Sequence, residues 1–414
     1  MTPEVKERIE QIRHGIVPEG YKRTKAGIYP EDWEEYTLGD IYTERKEPGN
    51  ENLPLLMVSI HSGVSDGEVD GADLPKKVKR IEDKSQYKRA ATGDLVFNMM
   101  RAWQGDIGTV RTEGMVSPAY IVAEPNGLVD PLFMDYLMRT PRMVGTIHKQ
   151  SYGVTDFRLR LYWDSFAPIH CVLPSVPEQE KIGEAVDIQN KIIDLKEKLL
   201  AEKQRQKKYL MQQLLTGKIR LPGFDGEWMY VRANQIFRNV TDKKHNGTLE
   251  VLSATQDRGI IPRSLVDIDI KYAVESLTGY KKVAKGNFVI SLRSFQGGIE
   301  YSEYSGIVSP AYTVLSSIYP IEDNYYKQFF MSTDYINRLN IAVYGIRDGK
   351  QISYNDFGRI RIPYPPLDEQ KAIAAVLETA DKEIEILKRN IEQEKQKKKA
   401  LMQLLLTGIV RVNA

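Results

Sequence analysis

Two short stretches carry side chains suited to reading the edge of a base pair. Arg101-Ala-Trp-Gln104-Gly and Arg293-Ser-Phe-Gln296-Gly each set an arginine and a glutamine on one turn between β-type runs. The fork of arginine matches the guanine edge in a major groove, and the amide of glutamine matches the adenine edge. Because both stretches keep the pair, the same residues also suit a bracing role in a shared scaffold. Positions that differ between the stretches are the ones that would read different bases. Arg158 and Arg160 stand against Lys350 and Gln351, and His61 and Ser62 against Thr255 and Gln256.

Other chemistries lack their residues. There is no Gly-rich phosphate loop of the Walker type. Tyr364-Pro-Pro-Leu lacks the acidic or amide residue that opens an amino-methyltransferase motif. Glu178-Gln-Glu-Lys and Asp368-Glu-Gln-Lys resemble half of a nuclease site, but both open a helix, where acidic residues suit the dipole. The five histidines show no metal-ligand spacing. No catalytic residue and no bound cofactor is expected in this chain.

The elements that position the two turns are themselves written twice. Lys208, Met211, Thr216, Gly217 and Arg220 recur at one constant spacing as Lys399, Met402, Thr407, Gly408 and Arg411. The same spacing relates Pro174, Glu178, Gln179 and Ile182 to Pro365, Glu369, Gln370 and Ile373. Upstream the spacing drifts, although Val-Ser-Pro-Ala-Tyr is identical from Val116 and from Val308. Drift in one stretch beside constancy in another marks variable loops next to an element whose length matters.

Each copy divides into a globular part and one long helix. Residues 31–173 and 221–364 are rich in short β-type runs punctuated by Gly and Pro, so each is expected to be a mixed α/β domain. Residues 174–220 and 365–414 read as helices, opened after prolines and stopped at Gly217 and Gly408. In the second, Ile373, Leu377, Ala380, Ile384, Leu387, Ile391, Glu394, Lys398, Leu401 and Leu405 form a 4-3 seam. Gln189, Lys196, Lys203 and Lys207 make the equivalent seam of the first more polar. A sustained 3.5-residue period predicts that the helices pair as a coiled coil. Residues 1–30 form a separate segment in which Ile9 to Val17 ends like Leu404 to Val410, as a partial third helix end.

Bulk composition fits this division. The 414 residues are 42% hydrophobic and 28% charged, as in a globular protein. One cysteine, Cys171, excludes an internal disulfide and favours a reducing cytosol, and no apolar run is long enough to span a membrane. The net charge of +2 hides basic faces at 198–220 and 388–411. There Lys207, Lys208, Lys398 and Lys399 suit either a phosphate backbone or an acidic partner.

The duplicated Pro-x-x-x-Glu-Gln helix openings and Leu-Leu-Thr-Gly helix ends, with the Gly-Asp-Leu-Val-Phe…Val-Ser-Pro-Ala-Tyr domain motif that recurs as Gly-Asn-Phe-Val-Ile…Val-Ser-Pro-Ala-Tyr, resemble the specificity (S) subunits of type I restriction–modification systems. The resemblance covers essentially the whole chain. It implies an α+β fold in which two target recognition domains lie in pseudo-two-fold arrangement, separated by two long antiparallel coiled-coil helices. It further implies that each domain reads half of a bipartite, asymmetric site in double-stranded DNA. The expected partners are two methyltransferase (M) subunits and restriction (R) subunits, with S-adenosylmethionine, ATP and Mg carried on those partners. Two other functions fit the same elements: a structural coiled-coil adaptor without sequence-specific DNA binding, and a self-sufficient DNA modification enzyme.

Overall fold

A computed structural model describes residues 2–60, 63–65, 83–153, 155, 158–256, 258–266, 274–342 and 352–412. It forms two units. The first comprises Met1–Lys196 with Ile391–Ala414, and the second Glu197–Asn390, so both long helices contribute to both units.

The apolar runs pair into the same sheet twice. In the first unit Leu95–Asn98, buried along its whole length, pairs antiparallel with Tyr120–Pro125 and Ile107–Thr109. Tyr42–Arg45 closes the other edge against Tyr120–Pro125. In the second unit Phe237–Val240, Thr313–Ser317, Phe288–Ile290 and Glu300–Tyr301 take the same order. Strands buried on both faces read as continuous apolar runs, which is why these segments lack alternation. Each sheet is covered by a helix whose start is dictated locally. Asp130 accepts a bond from Phe133 N at 2.7 Å ahead of Pro131–Met138, and Glu322 caps Asp323–Phe330. The two cores are built separately, one around Trp33, Phe97, Phe133 and Phe166, the other around Phe237, Phe288, Tyr326 and Phe330.

A second small ladder decides where each long helix begins. Glu34–Thr37 pairs with His170–Leu173, and Met229–Arg232 with Arg361–Tyr364. Each ladder ties the start of its domain to the strand that leads straight into a 39-residue helix, Val176–Leu214 or Leu367–Leu405. The glutamine of each Glu-Gln opening then stitches helix to domain. Gln179 Nε2 donates to Pro174 O at 2.9 Å and Leu128 O at 3.1 Å, while its Oε1 accepts from Asp130 N at 2.9 Å. Gln370 repeats this with Pro365 O at 2.8 Å and Glu322 N at 2.9 Å.

Within each unit the long helices run antiparallel. In the first, Glu178 meets Arg411 and Lys196 meets Glu394, so one helix advances as the other retreats. In the second, Lys203 meets Glu383, Lys207 meets Asp381 and Arg220 meets Glu369. The seam residues are buried or half-buried throughout, including the polar ones of the first helix. Those polar residues have specific partners. Gln189 Nε2 donates to Glu394 Oε2 at 2.8 Å and Lys196 Nζ to Glu394 Oε1 at 2.9 Å. With Gln189 first among these donors, the Glu394 carboxyl is held down at about 2. A polar layer of this kind fixes register, because a slipped pairing leaves its members without partners. Charge reversal by Glu394→Lys is therefore expected to lower the melting temperature of the first unit. The drop should exceed that of Glu383→Lys, whose side chain is 51% exposed, in thermal unfolding of matched variants.

Both helices end by the same device. Gly217 and Gly408 adopt φ of 68°, the left-handed turn a Cβ disfavours, and their neighbours leave no room for one. A Cβ would stand 3.0 Å from the Trp228 ring and 2.5 Å from Pro30. The helix Pro3–Arg13 ends alike, with Gly15 at φ 72° and Ile16 N bonded to Gln11 O at 2.8 Å.

Candidate nucleic-acid interface

The Arg-x-x-Gln-Gly turns leave the sheet directly after a buried strand, so the core fixes their base. In the first unit Arg101 and Gln104 are both exposed, linked only loosely to each other by Arg101 Nε donating to Gln104 Oε1 at 3.3 Å. Trp103 anchors the turn instead. Its Nε1 donates to Met100 O at 3.0 Å, and its ring lies 5.6 Å from that of His148. The bracing work thus falls to the backbone and the tryptophan, leaving the two side chains available to solvent.

Arg158 and Arg160, also exposed, are brought to the same place. Leu161 N donates to Met99 O at 2.8 Å, tying their loop to the base of the Arg101 turn. Arg160 forms a two-bond bridge with Tyr152, and Arg160 Nη1 donates to Tyr162 OH at 3.1 Å. Tyr152, 52% exposed, packs on Tyr162 with ring centroids 5.5 Å apart. Arginine beside a partly exposed aromatic pair suits contact with a nucleic acid. Neither tyrosine was singled out as a reader from the sequence. His61 lies outside the described residues, but Ile60 reaches within 3.8 Å of where a Cβ on Gly105 would stand.

The second unit repeats the arrangement with different side chains. Arg293 and Gln296 are exposed, as is Gln256. A Cβ on Gly297 would stand 2.9 Å from Gln256 Cγ, so the hairpin Leu252–Thr255/Gly259–Pro262 delivers Gln256 onto the turn. Lys350 and Gln351 lie outside the described residues. Beneath each turn sits a buried acid that spacing alone did not single out. Asp106 follows the first turn, and burial raises its carboxyl. Glu300 follows the second, and burial pushes it up to about 7 against the hydrogen bonds of Ser291 and Ser294.

The basic helix faces divide into inward and outward groups. Lys207 Nζ pairs with Asp381 Oδ1 at 2.6 Å, and Lys398 lies 6.0 Å from the Tyr136 ring centre, its ammonium lowered by burial. Lys208 and Lys399 are exposed. Among the described residues no acidic, His or Cys group is placed to hold a metal ion, and no helix is long and apolar enough to cross a membrane.

The acidic residue of each helix opening lies in the first turn, as the sequence indicated, and also makes a contact that the sequence did not show. Rather than only facing a helix dipole, Glu178 and Glu369 are buried and grip the far end of the other helix. Arg220 Nε and Nη2 reach Glu369 Oε1 and Oε2 at 2.6 and 2.7 Å, and Trp228 Nε1 donates to Oε2 at 2.8 Å. Arg411 makes the equivalent fork on Glu178, at 2.7 Å to both oxygens, and a second on Asp32. Trp33 and Trp228 lie under the two guanidinium groups at 5.9 and 5.3 Å.

Two matched domains, two matched helices and a clasp at each helix end define a class of protein. Residues 226–395 match the family described as the type I restriction modification DNA specificity domain. A putative type I restriction enzyme MjaX specificity subunit of Methanocaldococcus jannaschii is 24% identical over 440 residues, spanning 95% of this chain and 97% of that protein. The type I restriction enzyme MjaVIII specificity subunit of the same organism is also 24% identical, over 95% of this chain and 96% of its own length. The HsdS subunit of Thermoanaerobacter tengcongensis shares the fold, with a TM-score of 0.52 at 20% identity over 92% of this chain and 98% of that one. The chain is thus similar to type I restriction enzyme specificity subunits over nearly its whole length and shares their fold.

Proposed function

We propose that this chain is the non-catalytic DNA-reading subunit of a type I restriction–modification complex. Each unit reads one half of a bipartite, asymmetric site in double-stranded DNA, and the long helices connect the readers. Two methyltransferase subunits dock on the chain and restriction subunits join them, bringing S-adenosylmethionine, ATP and Mg. Exposed Lys208 and Lys399 are the helix cations best placed for such docking, in the cytoplasm where the DNA lies. The observation that carries this reading is the recurrence of one exposed Arg-x-x-Gln turn at the same point of both sheets, each flanked by different polar side chains. A shared scaffold with variable neighbours is what two readers of two different half-sites require.

The test is the pair of double variants Arg101→Ala/Gln104→Ala and Arg293→Ala/Gln296→Ala, each assembled with the partner methyltransferase and mapped for methylated sites genome-wide. Each is expected to relax one half of the motif and leave the other intact. The loss should be about 1–3 kcal/mol of discrimination for each bidentate contact removed. Unchanged motifs in both would remove these turns as readers, and equal affinity for every duplex would make the chain an adaptor.

A further inference from the structure

The second turn is held through an ionisable network. Glu300 is 5% exposed, on the edge strand Glu300–Tyr301, and each of its oxygens meets one serine hydroxyl. Ser291 Oγ donates to Oε1 at 3.0 Å and Ser294 Oγ to Oε2 at 3.1 Å. The same hydroxyl oxygens accept from the backbone of the turn, Ser294 Oγ from Ser291 N at 2.8 Å and Ser291 Oγ from Arg293 N at 3.3 Å. A serine hydroxyl has one proton and two lone pairs. While the carboxyl is ionised it commits both serine protons, so the lone pairs face the turn's N–H groups. A protonated carboxyl becomes a donor itself, and one serine must turn its proton elsewhere.

The first turn is fixed differently. There the amide Oδ1 of Asn98 accepts from Met100 N at 3.0 Å, and the acid beneath, Asp106, acts on the turn through the Asn98 amide rather than through two hydroxyls. Tyr312, from the loop before Thr313–Ser317, lies near Glu300, and Arg293 of the turn lies near that phenol. Arg263 and Tyr280 lie around the same phenol.

We propose that Glu300 is a positioning residue for the Arg293–Gln296 turn, and that proton binding at Glu300 loosens reading of the second half-site while leaving the first alone. This rests on the proposed reading of DNA by that turn. With its carboxyl raised from the ordinary value to about 7, Glu300 changes charge between pH 6 and 8.5. The sign of the effect separates positioning from plain stability. A carboxyl raised on folding stabilises the fold at low pH and loses that contribution as pH rises through 7. Stability of the second unit therefore falls with pH over this window, while the order of the turn increases.

The experiment measures binding of the chain assembled with its methyltransferase partner to three duplexes: cognate, altered in the first half-site, and altered in the second. Between pH 6 and 8.5 discrimination at the second half-site is expected to rise about five-fold, the worth of one hydrogen bond, a rise that Glu300→Gln removes while leaving the first half-site's profile as in the wild type. Glu300→Gln, a neutral isostere, should show low and pH-independent discrimination at the second half-site, and Ser294→Ala should lower it at pH 8.5. A wild-type profile shared by Glu300→Gln, or discrimination that follows thermal stability downward with pH, overturns the proposal. If Arg293→Ala leaves second-site discrimination intact, the reading by this turn fails, and the inference falls with it.

Discussion

Arg220→Ala is expected to destabilise the second unit by about 3 kcal/mol or more, the largest effect of any single substitution away from the cores. The reason is what it leaves behind. Glu369 is 0% exposed and loses both bonds of a bidentate fork, keeping only the Trp228 Nε1 bond, and breaking a buried pair from one side costs roughly 3–5 kcal/mol. Arg220 itself is 23% exposed, so water can enter part of the vacated space, which favours the lower end of that range. Arg411→Ala should cost less, because its guanidinium is 37% exposed and Glu178 stays nearer to solvent. Replacing Arg220 and Glu369 together by apolar residues of similar volume should recover most of the loss, since no charge is then stranded. Urea unfolding of the two singles and the double provides the cycle. Equal small losses for all three would mean that the fork contributes nothing beyond surface pairing.

Exchange of residues 31–173 for a related domain is expected to rewrite one half of the methylated motif completely and leave the other half unchanged. The physical basis is the separation of the cores. Phe97, Phe133 and Phe166 pack within the first unit, and Phe237, Phe288 and Phe330 within the second, so one domain can be replaced without repacking the other. The graft must keep two contacts to the following helix, the backbone groups at Leu128 and Asp130 that Gln179 satisfies. Methylation mapping of the chimaera in complex with its partner subunits reads the outcome directly. A change in both halves would show that the two readers are not independent.

Much of the architecture was legible because its signals are local or periodic. The 4-3 seam from Ile373 to Leu405 requires a helix with one apolar face whatever surrounds it. Gly217 and Gly408 stop helices because a left-handed residue is best met by glycine. The drifting spacing in the domains and the constant spacing in the helices likewise followed from one requirement. A loop tolerates an inserted residue, whereas a seam does not.

What only the tertiary structure decided is which side chains meet. Glu178 and Arg411 are distant in the chain, and nothing local distinguishes an acid that faces a helix dipole from one that grips the end of another helix. Lys207 and Lys208 are neighbours in one basic run, yet the first turns inward to Asp381 and the second outward, because successive residues point to different sides of a helix. Glu300 reads as an ordinary strand acid until folding buries it under two serines, and that desolvation, absent from any sequence pattern, gives it a proton to lose near neutral pH. The sequence by itself determined the two long helices and where they stop, since short-range geometry suffices for those. The clasps, the direction of each lysine and the charge state beneath the second turn came from long-range packing, where burial and pairing depend on residues far apart in the chain.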